Sequence, residues 1–137
     1  MTTEKTIFEK IVAGGIPCTK IYEDSETFAF LDINPNSVGH TLVITKHPYR
    51  NIFDLTDNAA ESLIKTVKKI APAIKKATNC DGINIIMNNE KSAGQIVFHA
   101  HIHIIPRKDG DAGLHNHISY KNGEMAEIAK KIIVAIE

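Results

Sequence analysis

Residues 98–107 read FHAHIHIIPR. Histidine stands at 99, 101 and 103, with Ala100, Ile102 and Ile104 interleaved. A period of two is the signature of a β-strand, whose successive side chains point to opposite faces. His99, His101 and His103 therefore share one face. Ala100, Ile102 and Ile104 share the other, which should lie on a core. A row of imidazoles is a poor choice for solubility alone, so this face reads as chemical.

Two chemistries suit it. His-x-His can place two nitrogens on one zinc, but strand residues i and i+4 lie ~13 Å apart. All three histidines can hardly grip one ion, and a third ligand would have to come from elsewhere, His40 or His47 among the candidates. The other chemistry is nucleophilic. A neutral imidazole, with a pKa of ~6.5, attacks phosphorus near neutral pH. Flanking histidines would orient the nucleophile and bind the anion, and backbone N–H donors should face the phosphoryl oxygens. The stretch Ser92-Ala93-Gly94-Gln95, just upstream, can supply such donors, since glycine lets a backbone approach a ligand closely.

Outward from this strand, short elements alternate. Ile7, Phe8, Ile11 and Val12 have helical spacing up to Gly14-Gly15 and Pro17. Lys20–Glu23 and Thr27–Leu31 read as strands around the turn Asp24-Ser25-Glu26, Asn34-Pro35-Asn36 as a turn and Thr41–Thr45 as a strand. A long helix begins at a Thr56 or Asp57 cap and carries the stripe Leu63, Val67, Ile70, Ile74, with Pro72 expected to interrupt it. Ile83–Met87 reads as a buried strand and Asn88 to Gln95 as a polar loop. The histidine strand is expected to end at Pro106. A polar segment from Asp109 to Gly123 holds His115 and His117, both read as loop residues, and a last helix runs from about Gly123 to Ile136. With few βα alternations, the order predicts one antiparallel-dominated α+β domain spanning residues 1–137.

The totals exclude several classes. The 137 residues balance 16 basic against 16 acidic side chains, so no nucleic-acid footprint is expected. Two cysteines, Cys18 and Cys80, are too few for a disulfide scaffold. No secretory signal and no membrane span are read. The expectation is a soluble, cytoplasmic protein.

The sequence resembles the histidine triad (HIT) superfamily, whose motif His-φ-His-φ-His-φ-φ (φ apolar) reads here His99-Ala100-His101-Ile102-His103-Ile104-Ile105. The likeness extends to Phe30-Leu31-Asp32-Ile33-Asn34-Pro35, to Gly39-His40-Thr41-Leu42-Val43-Ile44, to Ala93-Gly94-Gln95 and to Pro106-Arg107. The resemblance implies an antiparallel five-stranded sheet with one long helix, a short N-terminal helix and a C-terminal helix. It implies cleavage at the α-phosphate of nucleotide conjugates, such as nucleoside phosphoramidates or dinucleoside polyphosphates, through a nucleotidyl-histidine intermediate. A purine-nucleotide-binding module with vestigial turnover is the alternative, and a metal hydrolase a third reading.

By that resemblance His101 is the nucleophile, His103 contacts the phosphate, and His99 and His40 support them. Asp32 would take the ribose hydroxyls, where its residues alone suggest a turn carboxylate. Phe30 and Ile33 would line the base pocket, though core packing fits both. Asn88 and Gln95 would hold the ribose–phosphate region, with the backbone of Gly94, Gln95, Ile96 and Val97 beside the phosphate. The resemblance implies no cofactor. Relatives with a Cys-x-x-Cys zinc site have cysteines where this chain has Thr6 and Glu9, so no such metal is expected. Ile96 replaces a serine of one branch, Glu90 stands where glycine is common, and His47 is read as a surface residue. A homodimer is also implied, its sheets joined into ten strands through the long helix and the strand after the Asn88 region; the Leu63, Val67, Ile70 stripe would serve either that interface or the core.

Overall fold

The computed structural model describes residues 4–111 and 116–137. Five strands, β1 (Lys20–Glu23), β2 (Thr27–Leu31), β3 (Thr41–Thr45), β4 (Gly82–Ile86) and β5 (His101–Arg107), form one antiparallel sheet in the order β1-β2-β3-β5-β4. Helices α1 (Ile7–Val12), α2 (Asp57–Thr78) and α3 (Glu124–Ile136) complete the α+β fold expected from the sequence.

Both faces of the sheet are covered, which is why β2 and β3 read as unbroken apolar runs. Ala29, Leu31, Val43, Ile102 and Ile104 meet Leu63, Val67, Ile70 and Ile74 of α2 and Ile128 and Ile132 of α3. On the other face Phe28, Phe30, Leu42 and Ile44 meet Phe8 and Ile11 of α1. In the β3–β5 register Leu42 lies opposite His103 and Ile44 opposite His101. The triad thus lies on the α1 face, and Ile102 and Ile104 anchor its strand from behind. The α2 stripe belongs to the core rather than to a surface.

Thr56 caps α2, its hydroxyl accepting the Ala59 N–H at 3.1 Å, and Asn79 closes the helix in the left-handed conformation at φ 54°. Contrary to expectation, α2 runs through Pro72 to Thr78. Pro72 and Lys68, whose carbonyl loses its helical donor, both lie on the exposed side, where water replaces the missing bond.

Two further expectations need correction. The strand after Asp81 is Gly82–Ile86, and it is a half-buried edge with Ile85 exposed, not a buried strand. Pro106 lies within β5 instead of ending it. Its missing N–H faces the side where β3 has already stopped: β3 pairing ends at Ile104, and the Pro106 carbonyl there accepts the Ser37 hydroxyl at 2.6 Å.

Gly39 fixes the turn that delivers His40. Its φ is +94°, and a Cβ would lie 2.6 Å from Thr78 Cγ2 and 3.3 Å from Pro106 Cγ. Its N–H donates to the Tyr120 hydroxyl at 3.0 Å. Gly39→Ala is expected to destabilise the fold by roughly 2–4 kcal/mol, read as a lower urea midpoint at unchanged slope.

Candidate active site

Two buried hydrogen-bond chains organise the histidines. The first runs through His99, which is completely buried. Its Nε2 lies 2.6 Å from the Thr45 carbonyl oxygen, an acceptor only, so this nitrogen carries the hydrogen. The His99 carbonyl in turn accepts from Nδ1–H of His101 at 2.6 Å. That bond leaves the His101 Nε2 lone pair as the free end of the ring. Phe8 lies edge-on to His101, with centroids 5.0 Å apart. Burial holds the His101 pKa below the ordinary imidazole value, against the pull of the His99 carbonyl and the Asp32 charge. His101 is therefore neutral at pH 7.

The second chain starts at the Asn36 backbone N–H, which donates to His40 Nδ1 at 3.0 Å. His40 then carries its hydrogen on Nε2, 2.9 Å from His103 Nδ1. A neutral His103 that accepts at Nδ1 must present Nε2–H. It is a donor, suited to a phosphoryl oxygen. Burial, then the neighbouring rings, lowers His40 and His103 to about 4, so the chain holds without net charge at neutral pH.

Asp32 Oδ2 lies 3.5 Å from His40 Nε2, while Oδ1 accepts the Asn34 N–H at 2.9 Å. Asp32 is thus both the turn carboxylate its residues suggest and a neighbour of the histidine chain. Asp32, His40 and His103 offer donor atoms all within 4.8 Å of one another, a spacing that fits a metal ion. The Asn36 N–H argues against one. It pins His40 Nδ1 as the acceptor and so leaves hydrogen, not a lone pair, on the nitrogen that would face the ion.

The other candidates separate. Ile33 is 84% exposed beside Asp32, free to carry a flat ligand, whereas Phe30 is core, held between Phe8 and Phe28. Asn88 is half-buried, with its amide 3.8–3.9 Å from the Cβ position of Gly94, and its side chain hydrogen-bonds to no described residue. Of the predicted substrate-binding side chains it is the polar one with no hydrogen bond to a described residue. Gln95 is engaged elsewhere. Its Oε1 accepts from Asn51 Nδ2 at 3.0 Å and from the Glu90 N–H at 2.8 Å, and its Nε2 donates to the Arg50 and Val97 carbonyls. The Gly94 and Gln95 N–H groups are likewise spent, on the Lys91 and Glu90 carbonyls. Among the described residues, the N–H groups of Ile96 and Val97 have no partner, so within this loop these two remain free to donate to a ligand. Gln95→Ala would strand several buried groups and is expected to cost about 3 kcal/mol, measured by denaturant unfolding.

A lock over this loop escaped the sequence reading. Glu90 adopts φ 77°, ψ 158°, a region strained for any residue but glycine. Arg50 grips its carboxylate through Nε and Nη2, each at 2.9 Å, and Asn51 adds a third donor at 2.5 Å. The Arg50 bonds are the main reason the Glu90 carboxyl falls to about 2. Arg50 also lies 4.3 Å over the Phe98 ring. The only sequence hint was the glutamate itself, in a loop that invites glycine. His47 is exposed, against Tyr49, and His117 Nδ1 donates to the Asn34 carbonyl at 3.0 Å. His115 lies outside the described residues.

The arrangement is a neutral histidine face with one free imidazole lone pair, bordered by N–H donors and a carboxylate. Sequence comparison carries the same pattern: residues 13–110 match the HIT domain, and the chain belongs to the HIT family. It is 44% identical over 126 residues to an uncharacterized HIT-like protein of Methanocaldococcus jannaschii, covering 92% of this chain and 97% of that one. It is 42% identical over 108 residues to adenosine 5'-monophosphoramidase of Schizosaccharomyces pombe, covering 79% and 78%. The crystal structure of a Hit-like protein involved in cell-cycle regulation from Bartonella henselae superposes with a TM-score of 0.88 at 41% identity, over 98% of this chain and 99% of that one.

Proposed function

We propose that the protein hydrolyses purine nucleotide conjugates at the α-phosphorus, through a nucleotide carried on His101. The observation that carries this reading is the 2.6 Å bond from His101 Nδ1–H to the His99 carbonyl. It leaves a neutral Nε2 lone pair for attack. As the Nε2–P bond forms and the bond to the leaving group breaks, positive charge develops on the ring. The His99 carbonyl oxygen is already in place to take it. His103 Nε2–H and the Ile96 and Val97 N–H groups would meet the phosphoryl oxygens. An amine already protonated on nitrogen departs neutral. Water then cleaves the Nε2–P bond, giving the nucleoside monophosphate and restoring the neutral ring.

Similarity to the monophosphoramidase of Schizosaccharomyces pombe favours an AMP–amine bond as substrate. Asp32 would take the ribose hydroxyls, Ile33 the base and Asn88 the ribose–phosphate. Incubation with an adenosine phosphoramidate should release AMP catalytically in chelator; no release from any nucleotide conjugate would refute the reading. A slower, nucleotide-binding role has one observation in its favour. Ile96, 88% exposed at the edge of the phosphate loop, offers a leaving group an apolar side chain where a hydroxyl would donate.

The dimer expectation needs a different edge. The strand after Asn88 is β5, which is paired on both sides. Among the described strands, only β1 and β4 have free edges. We therefore infer a two-fold joined through β4, whose exposed Ile85 is matched by exposed Ile64 on α2. Sedimentation at micromolar concentration should give about twice 15.1 kDa, and Ile85→Lys should give the monomer.

A further inference from the structure

The chain of bonds through His99 begins outside the histidine strand, at the N-cap of α1. The Thr6 hydroxyl accepts the Glu9 N–H at 3.0 Å, and the Thr6 N–H donates to Glu9 Oε1 at 2.9 Å. This reciprocal cap leaves the hydroxyl proton unspent. It lies on His99: Thr6 Oγ is 2.8 Å from Nδ1. The direction follows from the far side of the ring. With hydrogen on Nε2 for the Thr45 carbonyl, a neutral His99 has its lone pair on Nδ1, so Thr6 donates.

His99 lies just outside the β5 ladder, whose pairing with β3 starts at His101. Its peptide is held by one backbone bond, from Ala100 N–H to the Tyr49 carbonyl at 2.7 Å. The side chain supplies the other anchors, Thr45 at one end and Thr6 at the other. Phe8, two residues beyond the cap, lies edge-on to both His99 and His101, at 5.7 and 5.0 Å. The short helix α1 and the nucleophile are thereby one mechanical unit.

We propose that Thr6 is a positioning residue: by donating to His99 Nδ1 it fixes that ring, keeps it neutral, and so holds the carbonyl that aims His101 Nε2. This rests on the hydrolase reading above. The polarity of residue 6 matters because His99 sits in a balance. The Thr45 carbonyl and the Glu9 carboxylate favour its protonation, while His101, His47 and above all burial oppose it, and opposition prevails. An acceptor at residue 6 would tip that balance and place an imidazolium beside His101.

The test is Thr6→Asp, because aspartate caps a helix as well as threonine does but cannot donate. In this variant both His99 nitrogens should titrate as protonated by 15N NMR at pH 7. The kcat should fall about tenfold with little change in KM, and should recover as pH rises through the new His99 pKa. Thr6→Ser, which keeps cap and donor, should restore the wild-type shifts and rate. Thr6→Val loses both, and thermal unfolding establishes that the sample is folded. A folded Thr6→Val protein with undiminished kcat, or a Thr6→Asp protein with neutral His99 and wild-type kcat, overturns the proposal. The nitrogen shifts need no substrate. A wild-type protein that releases no AMP while Thr6→Asp still charges His99 would fell the hydrolase reading and leave the His99 bond standing.

Discussion

His101→Ala should lower kcat for an adenosine phosphoramidate by at least ~10⁴-fold while leaving AMP binding within about threefold. The magnitude follows from what the alanine removes. Among the described contacts, His101 Nε2 is the one triad nitrogen left with a free lone pair: His99 spends both nitrogens on Thr6 and Thr45, and His103 Nδ1 is taken by His40. His103 Nε2 carries hydrogen and cannot attack. No other described side chain can take over, so the loss should appear in kcat. Binding should survive because Asp32, Ile33 and Asn88 remain where they are. The fold should survive too, since among the described residues His101 makes no side-chain hydrogen bond besides the one to the His99 carbonyl. A His101→Ala protein within tenfold of wild type would place the nucleophile elsewhere.

The second large effect is acid loss of stability. His40 and His103 fall to about 4 in the folded protein from an ordinary 6.5, chiefly because burial penalises the cation. Between those values the unfolded chain binds protons that the folded chain refuses. Stability is therefore full above about pH 6.5 and drains away as pH falls towards 4. For the coupled pair the loss should be on the order of 3 kcal/mol. Urea unfolding at pH 7, 5.5 and 4.5 should reveal it, and the dependence should flatten in His40→Gln. A stability independent of pH across that range would mean that the pair takes up protons as readily folded as unfolded, against a buried, neutral Asn36–His40–His103 chain.

The period-two pattern of residues 99–104 made the face of the sheet and its apolar backing legible in the sequence, because side-chain alternation is local. The α2 stripe was legible for the same reason. What failed was non-local. Pro106 looked like a strand end because a missing N–H is harmful only if a neighbour needs it, and where β3 stops is not written near residue 106. Ile83 to Ile86 looked buried because an edge strand of isoleucines reads like a central one. Gln95 read as a ligand contact, yet its partners, Arg50, Asn51 and Glu90, come from segments whose meeting depends on the whole fold. Thr6 was noted only as the absence of a cysteine. Its hydroxyl acquires meaning through a residue 93 positions away.

The central claim is a covalent one, so it is best tested by trapping. Wild-type protein mixed with a slight excess of an adenosine phosphoramidate, quenched within the first turnover and analysed by mass spectrometry, should carry one adenylyl group, on the peptide containing His101. The group should be absent from His101→Ala and lost on aging as AMP appears. A first turnover that releases AMP with no adduct on the protein, or an adduct on His99 or His103, would contradict the account.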